Sequence, residues 1–295
     1  MSNGNVLRNQ VDFVLLVEAE NANPNGDPLN DGRPRVSYDG RGEIEDVCIK
    51  RKIRNRFMQE GLSVFVQSDD NKVDEYSCLR DRYVATVDPD TTLPKDFRYE
   101  EACGLWLDVR LMGSLFAFGD GKGKKNKKDD DGKKEESVSL GIKGALSVCL
   151  AKTVAPVNII SSQITKSVNG MPGDGGRSSD TMGMKYRVEH GLYVVKGSVS
   201  SIQSGKNKVT EEDLAHLKNA LMTLFVGDES AARPAGSMRV VRLYWFEHNG
   251  CGSAYKTHHS VKITVKQGVD VPKSFDDYDV EFTPVPGVQC EVVDL

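Results

Sequence analysis

No run of about 18 apolar residues occurs anywhere in the 295-residue chain, so a membrane-spanning helix is not expected. The start, MSNGNVLRNQ, is polar and lacks the apolar centre of a secretory signal, which points to a cytoplasmic protein without a membrane partner. Cysteine is sparse and scattered. Cys48, Cys78, Cys103, Cys149, Cys251 and Cys290 form no CxxC pair, so free thiols are expected, not a zinc site or a disulfide frame. The chain has no GxxxxGK[ST], no GxGxxG after a strand and no HExxH. Gly173–Gly176 does not join a strand to a helix, so a phosphate-cradling nucleotide loop is not expected, and neither a cofactor nor a metal is implied. The aromatic signature of a base-stacking RNA-recognition strand is also missing.

Acid–base chemistry is thinly represented. The histidines are His190, His216, His248, His258 and His259. His258 and His259 read as neighbours on a strand. They would then point to opposite faces and fail to converge as the acid and base of RNA cleavage. No catalytic residue is assigned.

What the chain does have is charge in particular places. The net charge of −4 conceals a tail from Asp270 onward with seven acids and one Lys; without it the body carries +2. Five of the nine residues of Ile49–Phe57 are Lys50, Arg51, Lys52, Arg54 and Arg56. On a helix Ile49, Ile53 and Phe57 form one apolar stripe, which would pin the segment to a core with its cations facing outward. No acid lies within the stretch. That suits a phosphate backbone, whereas a solvated face with distant acidic partners is the plain alternative. Arg33, Arg35 and Arg41 add cations on the approach, after the turn-rich loop Asn21–Gly32.

Strands are expected at Val11–Glu20, Ala145–Val154, Leu192–Ser200, Met238–Phe246 and Ser260–Lys266, and Leu105–Phe118 is strand-like and apolar. The basic helix should end near Gly61. A second helix spans Thr210–Phe225, with Thr210 as N-cap, three acids in its first turn and a stripe of Leu214, Leu217, Leu221 and Leu224. Residues 62–105 show no clear period and read as an irregular insertion. Lys122–Glu136 carries seven Lys against five acids and cannot bury a core, so an exposed loop is expected. Val157–Arg187 holds five glycines and reads as a projecting hairpin or arm. Beyond Lys266, Pro272, Pro284 and Pro286 break any regular element. The order strand, helix, strand, strand, helix, strand is the βαββαβ order of an α+β, ferredoxin-like (RRM-like) split βαβ unit with insertions at about 62–105, 119–137 and 157–187. That order serves many functions.

The loop NPNGDP (Asn23–Pro28) followed by CIKRKIRNRF (Cys48–Phe57) resembles the backbone subunit of type I CRISPR interference (Cascade) complexes, of the RAMP superfamily, most nearly type I-C. GALSVCLAKTVAPVNIISSQIT (Gly144–Thr165), DTMGMKYRVEHGLY (Asp180–Tyr193) and VTEEDL (Val209–Leu214) occur in the order expected of that family. The resemblance implies a palm with inserted fingers and a thumb, and copies stacked head to tail along one guide RNA (crRNA) that pairs with target DNA in antiviral defence. It implies partner subunits: one capping the guide's handle, a large and a small one. Cutting is left to a separate recruited nuclease. Carried over by position, the RNA-binding residues would be Arg33, Arg35, Lys50, Arg51 and Arg54, with Met182, Lys185 and Arg187 on the thumb. Two rivals remain: an RNA endonuclease of the same superfamily, and a metabolic enzyme of ferredoxin-like fold.

Overall fold

The computed structural model of the protein describes residues 5–87, 93–118, 138–165 and 182–295. In chain order β1 (Val11–Ala22) is followed by β2 (Gly26–Asp27), β3 (Arg33–Pro34), β4 (Arg41–Ile44) and α1 (Asp46–Gln59). Next come α2 (Leu79–Thr86), α3 (Lys95–Leu105), α4 (Leu107–Met112), β5 (Gly113–Phe118) and β6 (Val138–Lys143). The strands β7 (Leu146–Val148), β8 (Ala151–Pro156), β9 (Ile159–Thr165) and β10 (Met182–Val199) follow. The chain closes with α5 (Ser201–Asn207), α6 (Glu211–Met222), β11 (Met238–His248), α7 (Ala254–Ser260), β12 (Val261–Val265), β13 (Tyr278–Phe282) and β14 (Val288–Asp294).

The fold is mixed α and β around one large antiparallel sheet, ordered β14-β11-β1-β10-β8-β4, with β7 and β9 also paired to β10. Central β1 has Leu15 opposite both Val195 and Leu243. That position explains its composition. Phe13, Leu15 and Val17 face α1 and α6 in one core cluster, while Val14 and Leu16 face β12, β13 and β11 in another. A strand buried on both faces needs apolar residues at successive positions, not only the expected alternating set.

α6 forms as its local signals dictate. Thr210 Oγ1 accepts from the Asp213 N–H at 3.2 Å, and Asp213 Oδ2 accepts from the Thr210 N–H at 3.0 Å. The expected Ala145–Val154 strand is two short strands, β7 and β8, while Leu192–Ser200 is the far half of the 18-residue β10. Val261–Val265 pairs with β13 alone, away from the main sheet.

Three expectations are overturned. The described part of residues 62–105 is not irregular throughout: it carries α2 and α3, which with α4, β5 and β6 enclose a separate core of Phe65, Tyr83, Trp106, Val109, Phe116 and Leu140. Leu105–Phe118 is a helix and then a strand, divided at Gly113 (φ 77°). A Cβ on Gly113 would lie 2.4 Å from the Ile142 carbonyl oxygen, and one on Gly144 would lie 2.2 Å from the Met112 backbone. Only glycine lets those two backbones cross. The proline-containing C-terminal stretch also carries regular structure, β13 and β14, because its prolines fall between the strands. The Lys122–Lys134 loop and the arm's outer part, 166–181, lie outside the described residues. Among the described residues no helix is long and apolar enough to cross a membrane.

Candidate nucleic-acid interface

Ile49, Ile53 and Phe57 are buried in the main core, as the helical stripe predicts. The cations around them are not free, which corrects the sequence expectation. Lys52 faces inward: it is buried, ion-paired to Asp228, with its ammonium 5.2 Å from the Phe225 ring centroid. Burial pushes its pKa down and Asp228 partly restores it. Arg54 Nε donates to Asp108 Oδ2 at 2.8 Å, and Asp108, fully buried, also accepts the Phe65 and Val66 N–H groups. Arg51 donates to the Val66 carbonyl at 3.0 Å. Arg56 donates to Thr223 Oγ1 at 2.9 Å and lies 3.9 Å from Glu60. Lys50 pairs with Asp46, one turn back, at 2.9 Å. The acids stand outside Ile49–Phe57, and the fold brings them in.

The Asn23–Pro28 loop anchors the start of this helix. Asn25 Oδ1 accepts the Glu45 N–H at 2.9 Å and the Asn25 carbonyl accepts the Arg35 N–H at 3.0 Å. Asn23 Nδ2 donates to the Gly32 carbonyl at 2.7 Å, closing the loop on itself. Arg35 lies 3.6 Å from Asp27 and 3.4 Å from Glu45. Arg33 differs. It is exposed, has no acid partner among the described residues, and places its guanidinium 4.4 Å from the Tyr186 ring centroid.

Tyr186 belongs to the base of the arm. Ile159–Thr165 pairs with Met182–Val188 in a regular antiparallel ladder. Met182 therefore starts a strand opposite Thr165, and it is 56% exposed. Strand alternation puts Met182 and Tyr186 on one face and Lys185 and Arg187 on the other. Neither Lys185 nor Arg187 has an ion pair among the described residues, and the Arg187 Nε is buried without a hydrogen-bond partner. The expected site residues thus separate into three groups: Lys50, Arg51, Arg54 and Arg35, already partnered; Arg33 and Met182 on the Tyr186 face; and Lys185 with Arg187 behind it. Tyr186 was not singled out by sequence. The signal for it is an aromatic between two cations on an alternating strand.

The histidines are held structurally. His258 and His259 lie on α7, not on a strand; His258 Nε2 bonds the Gly197 carbonyl at 2.9 Å and His259 Nδ1 the Tyr255 carbonyl at 2.7 Å. His248 Nε2 meets Asp12 Oδ2 at 2.5 Å, and Thr257 Oγ1 donates to the same oxygen at 2.7 Å. His190 Nε2 meets Glu18 Oε1 at 3.1 Å, and Arg239 Nε donates to Glu18 Oε2 at 2.7 Å. Burial pushes the Glu18 carboxyl up, but the hydrogen bonds from His190 and Arg239 outweigh it and hold the pKa at about 2. All six cysteines are free thiols.

The family model of CRISPR-associated protein Cas7 matches residues 9–283. A curated relative from Haloferax volcanii, described as CRISPR-associated protein Cas7, is 24% identical over 217 residues, covering 71% of this chain. The match spans 62% of that relative's length. Two solved chains from CRISPR RNA-guided surveillance complexes, one of them described as pre-nicking, give TM-scores of 0.48 and 0.46 at 11% and 14% identity. Each alignment covers 89% of this chain, and 84% and 77% of the respective solved chain.

Proposed function

Because the chain belongs to the Cas7 family, we propose that it is a non-catalytic backbone subunit of a CRISPR surveillance complex, holding guide RNA by its phosphates while the guide's bases pair with target DNA. The observation that carries this reading is the arm base: Lys185 and Arg187, without an ion pair among the described residues, on one strand face, and exposed Arg33 seated on Tyr186 on the other. Among the expected site cations, these three have no acid partner among the described residues. A protein that serves any guide must hold the strand by phosphate contacts and leave sequence to base pairing.

Arg33, Lys185 and Arg187 make the primary contacts. Arg35 and Lys50 are secondary, because their half-exposed ion pairs exchange readily for a phosphate. Arg51 and Arg54 hold α1 in place. Met182, exposed at the base of the arm, is the wedge that displaces a base. The palm is ferredoxin-like: the antiparallel order β11-β1-β10-β7 with α1 and α6 on one face supports it. Residues 62–105, 119–137 and 157–187 are its insertions. Copies stack head to tail along the guide, beside handle-capping, large and small subunits, in the cytoplasm. The NPNGDP and KRKIRN motifs favour type I-C. Against the endonuclease reading, His190, His248 and His258 are each committed to a partner within the fold.

The test is RNA binding across a salt series. Replacing Arg33, Lys185 and Arg187 together with Ala should weaken binding equally for unrelated guide sequences. It should also flatten the log affinity–log salt slope by roughly 2, at about 0.7 per phosphate contact on a single strand. An unchanged slope sinks the proposed grip.

A further inference from the structure

On the sheet face opposite α1, helix α7 carries an exposed aromatic pair. Tyr255 is 72% exposed and its ring stacks on His259, with centroids 4.1 Å apart and planes inclined by 28°. The inner side of the helix is fixed by Thr257, whose hydroxyl bonds buried Asp12, and by Ser260, which is also buried. With Thr257 and Ser260 inward, Tyr255 and His259 form the outer ridge, and Lys256 and His258 lie on its two flanks.

The Lys256 flank opens on a cleft lined by His248, Asn249, Ser253, Pro286 and Gly287 with Lys256 itself. Among the described residues no carboxylate lines it. A Cβ on Gly252 would collide with the His248 ring, so the chain passes flat over that imidazole as it approaches the helix. On the other flank Lys196 lies close enough to His258 for its charge to oppose protonation of that imidazole. Neither Lys256 nor Lys196 has an acid partner among the described residues. A ring with one face open, between cations that lack counter-charges, is the combination that sequence-tolerant single-strand binding uses. Stabilising a short helix would need only the i, i+4 contact. It would not need the carboxylate-free cleft beside it.

We propose that the stacked Tyr255–His259 pair and the adjoining Lys256 cleft form a contact for single-stranded DNA, with a base on the Tyr255 ring and the neighbouring phosphate at Lys256. This rests on the reading above that guide RNA is held at the arm base. When a guide pairs with one strand of a duplex, the other strand is left without a partner, and holding it requires contacts indifferent to sequence.

The probe is a fluorescent oligo-dT added to the full-length protein, free and preloaded with RNA. The preloaded wild type should bind it. Tyr255→Ala should weaken that binding at least about fivefold, Tyr255→Phe should preserve it, and Lys256→Ala should flatten its salt slope by roughly 0.7. None of the three should change RNA affinity or the melting temperature. Unchanged oligo-dT binding in Tyr255→Ala overturns the proposal, as does failure of the preloaded wild type to bind. An equal loss of RNA affinity in Tyr255→Ala also overturns it, since the guide would then lie on α7. If the wild type binds no RNA, the function proposed above fails, and the free-protein arm decides this site by the same Tyr255→Ala comparison.

Discussion

Helices α1 and α7 present opposite relations between sequence charge and available charge. α1 holds five cations in nine residues, and every one of them is bonded to a group inside the protein. α7 holds one lysine, and it has no acid partner among the described residues. A cation cluster supplies potential to a ligand only in the amount its own fold has not already used. In α1 the charge is used to fix the helix against α4, through Asp108, and against the segment after α6, through Asp228. Folding costs are thereby met at a place that sequence alone presents as a binding surface.

The sharpest way to break the comparison is Asp108→Ala. It leaves Arg54 without its counter-charge and the Phe65 and Val66 N–H groups without their acceptor. Stability should fall by about 3–5 kcal/mol in urea unfolding. A loss under about 1 kcal/mol would mean that the α1 cations are spare after all.

Glu18 tests whether buried charge on the α7 side of the sheet is pinned as firmly. Its folded pKa is held at about 2, against 4.5 for the free side chain. Because the folded value is the lower one, the stabilisation is complete above pH 4.5. It fades as pH falls toward 2, amounting to about 3 kcal/mol. Glu18→Gln should flatten the acid limb of the stability–pH curve over that window. Parallel limbs for the variant and wild type would show that the His190–Glu18–Arg239 network is loose.

Smaller effects separate the two kinds of cation. Arg33→Lys keeps the charge but loses the planar stack on Tyr186, worth about 0.5–1 kcal/mol, so RNA affinity should drop two- to fivefold at fixed salt. Retained affinity would leave the ring without a role in positioning Arg33. Smallest of all, Lys50→Ala removes an i, i+4 pair and should cost about 0.3–0.5 kcal/mol in thermal unfolding. A much larger loss would place Lys50 with Arg54 among the structural cations.

What could be read from the sequence was local. The α6 cap works through residues three apart, and the core stripe of α1 follows from helical periodicity. The partners of Arg54 and Lys52 could not be read, because Asp108 is 54 positions from Arg54 and Asp228 is 176 from Lys52, whereas Asp46 and Glu60 stand one turn from Lys50 and Arg56. The α2–α4 unit was missed for the same reason: its core joins Phe65 and Trp106 to Phe116 and Leu140, so no single window shows a period. His258 and His259 were placed on a strand because Val261–Val265 beside them is one; the helix is set by Thr257 and Ser260 turning inward. The cations of the arm base were legible as residues, but Tyr186 and the split of the set across two strand faces became visible only with the β9–β10 register.

Two hairpins close their ladders next to the segments richest in lysine and glycine: Phe118 pairs with Val138, and Thr165 with Met182. In both cases the two ends of the connection lie opposite each other on paired strands. Lengthening either connection with flexible sequence then costs only about 0.6 kcal/mol per doubling, since the ends are already together. These are accordingly the positions where a reporter protein or an epitope could be spliced into the chain without shifting any strand of the main sheet.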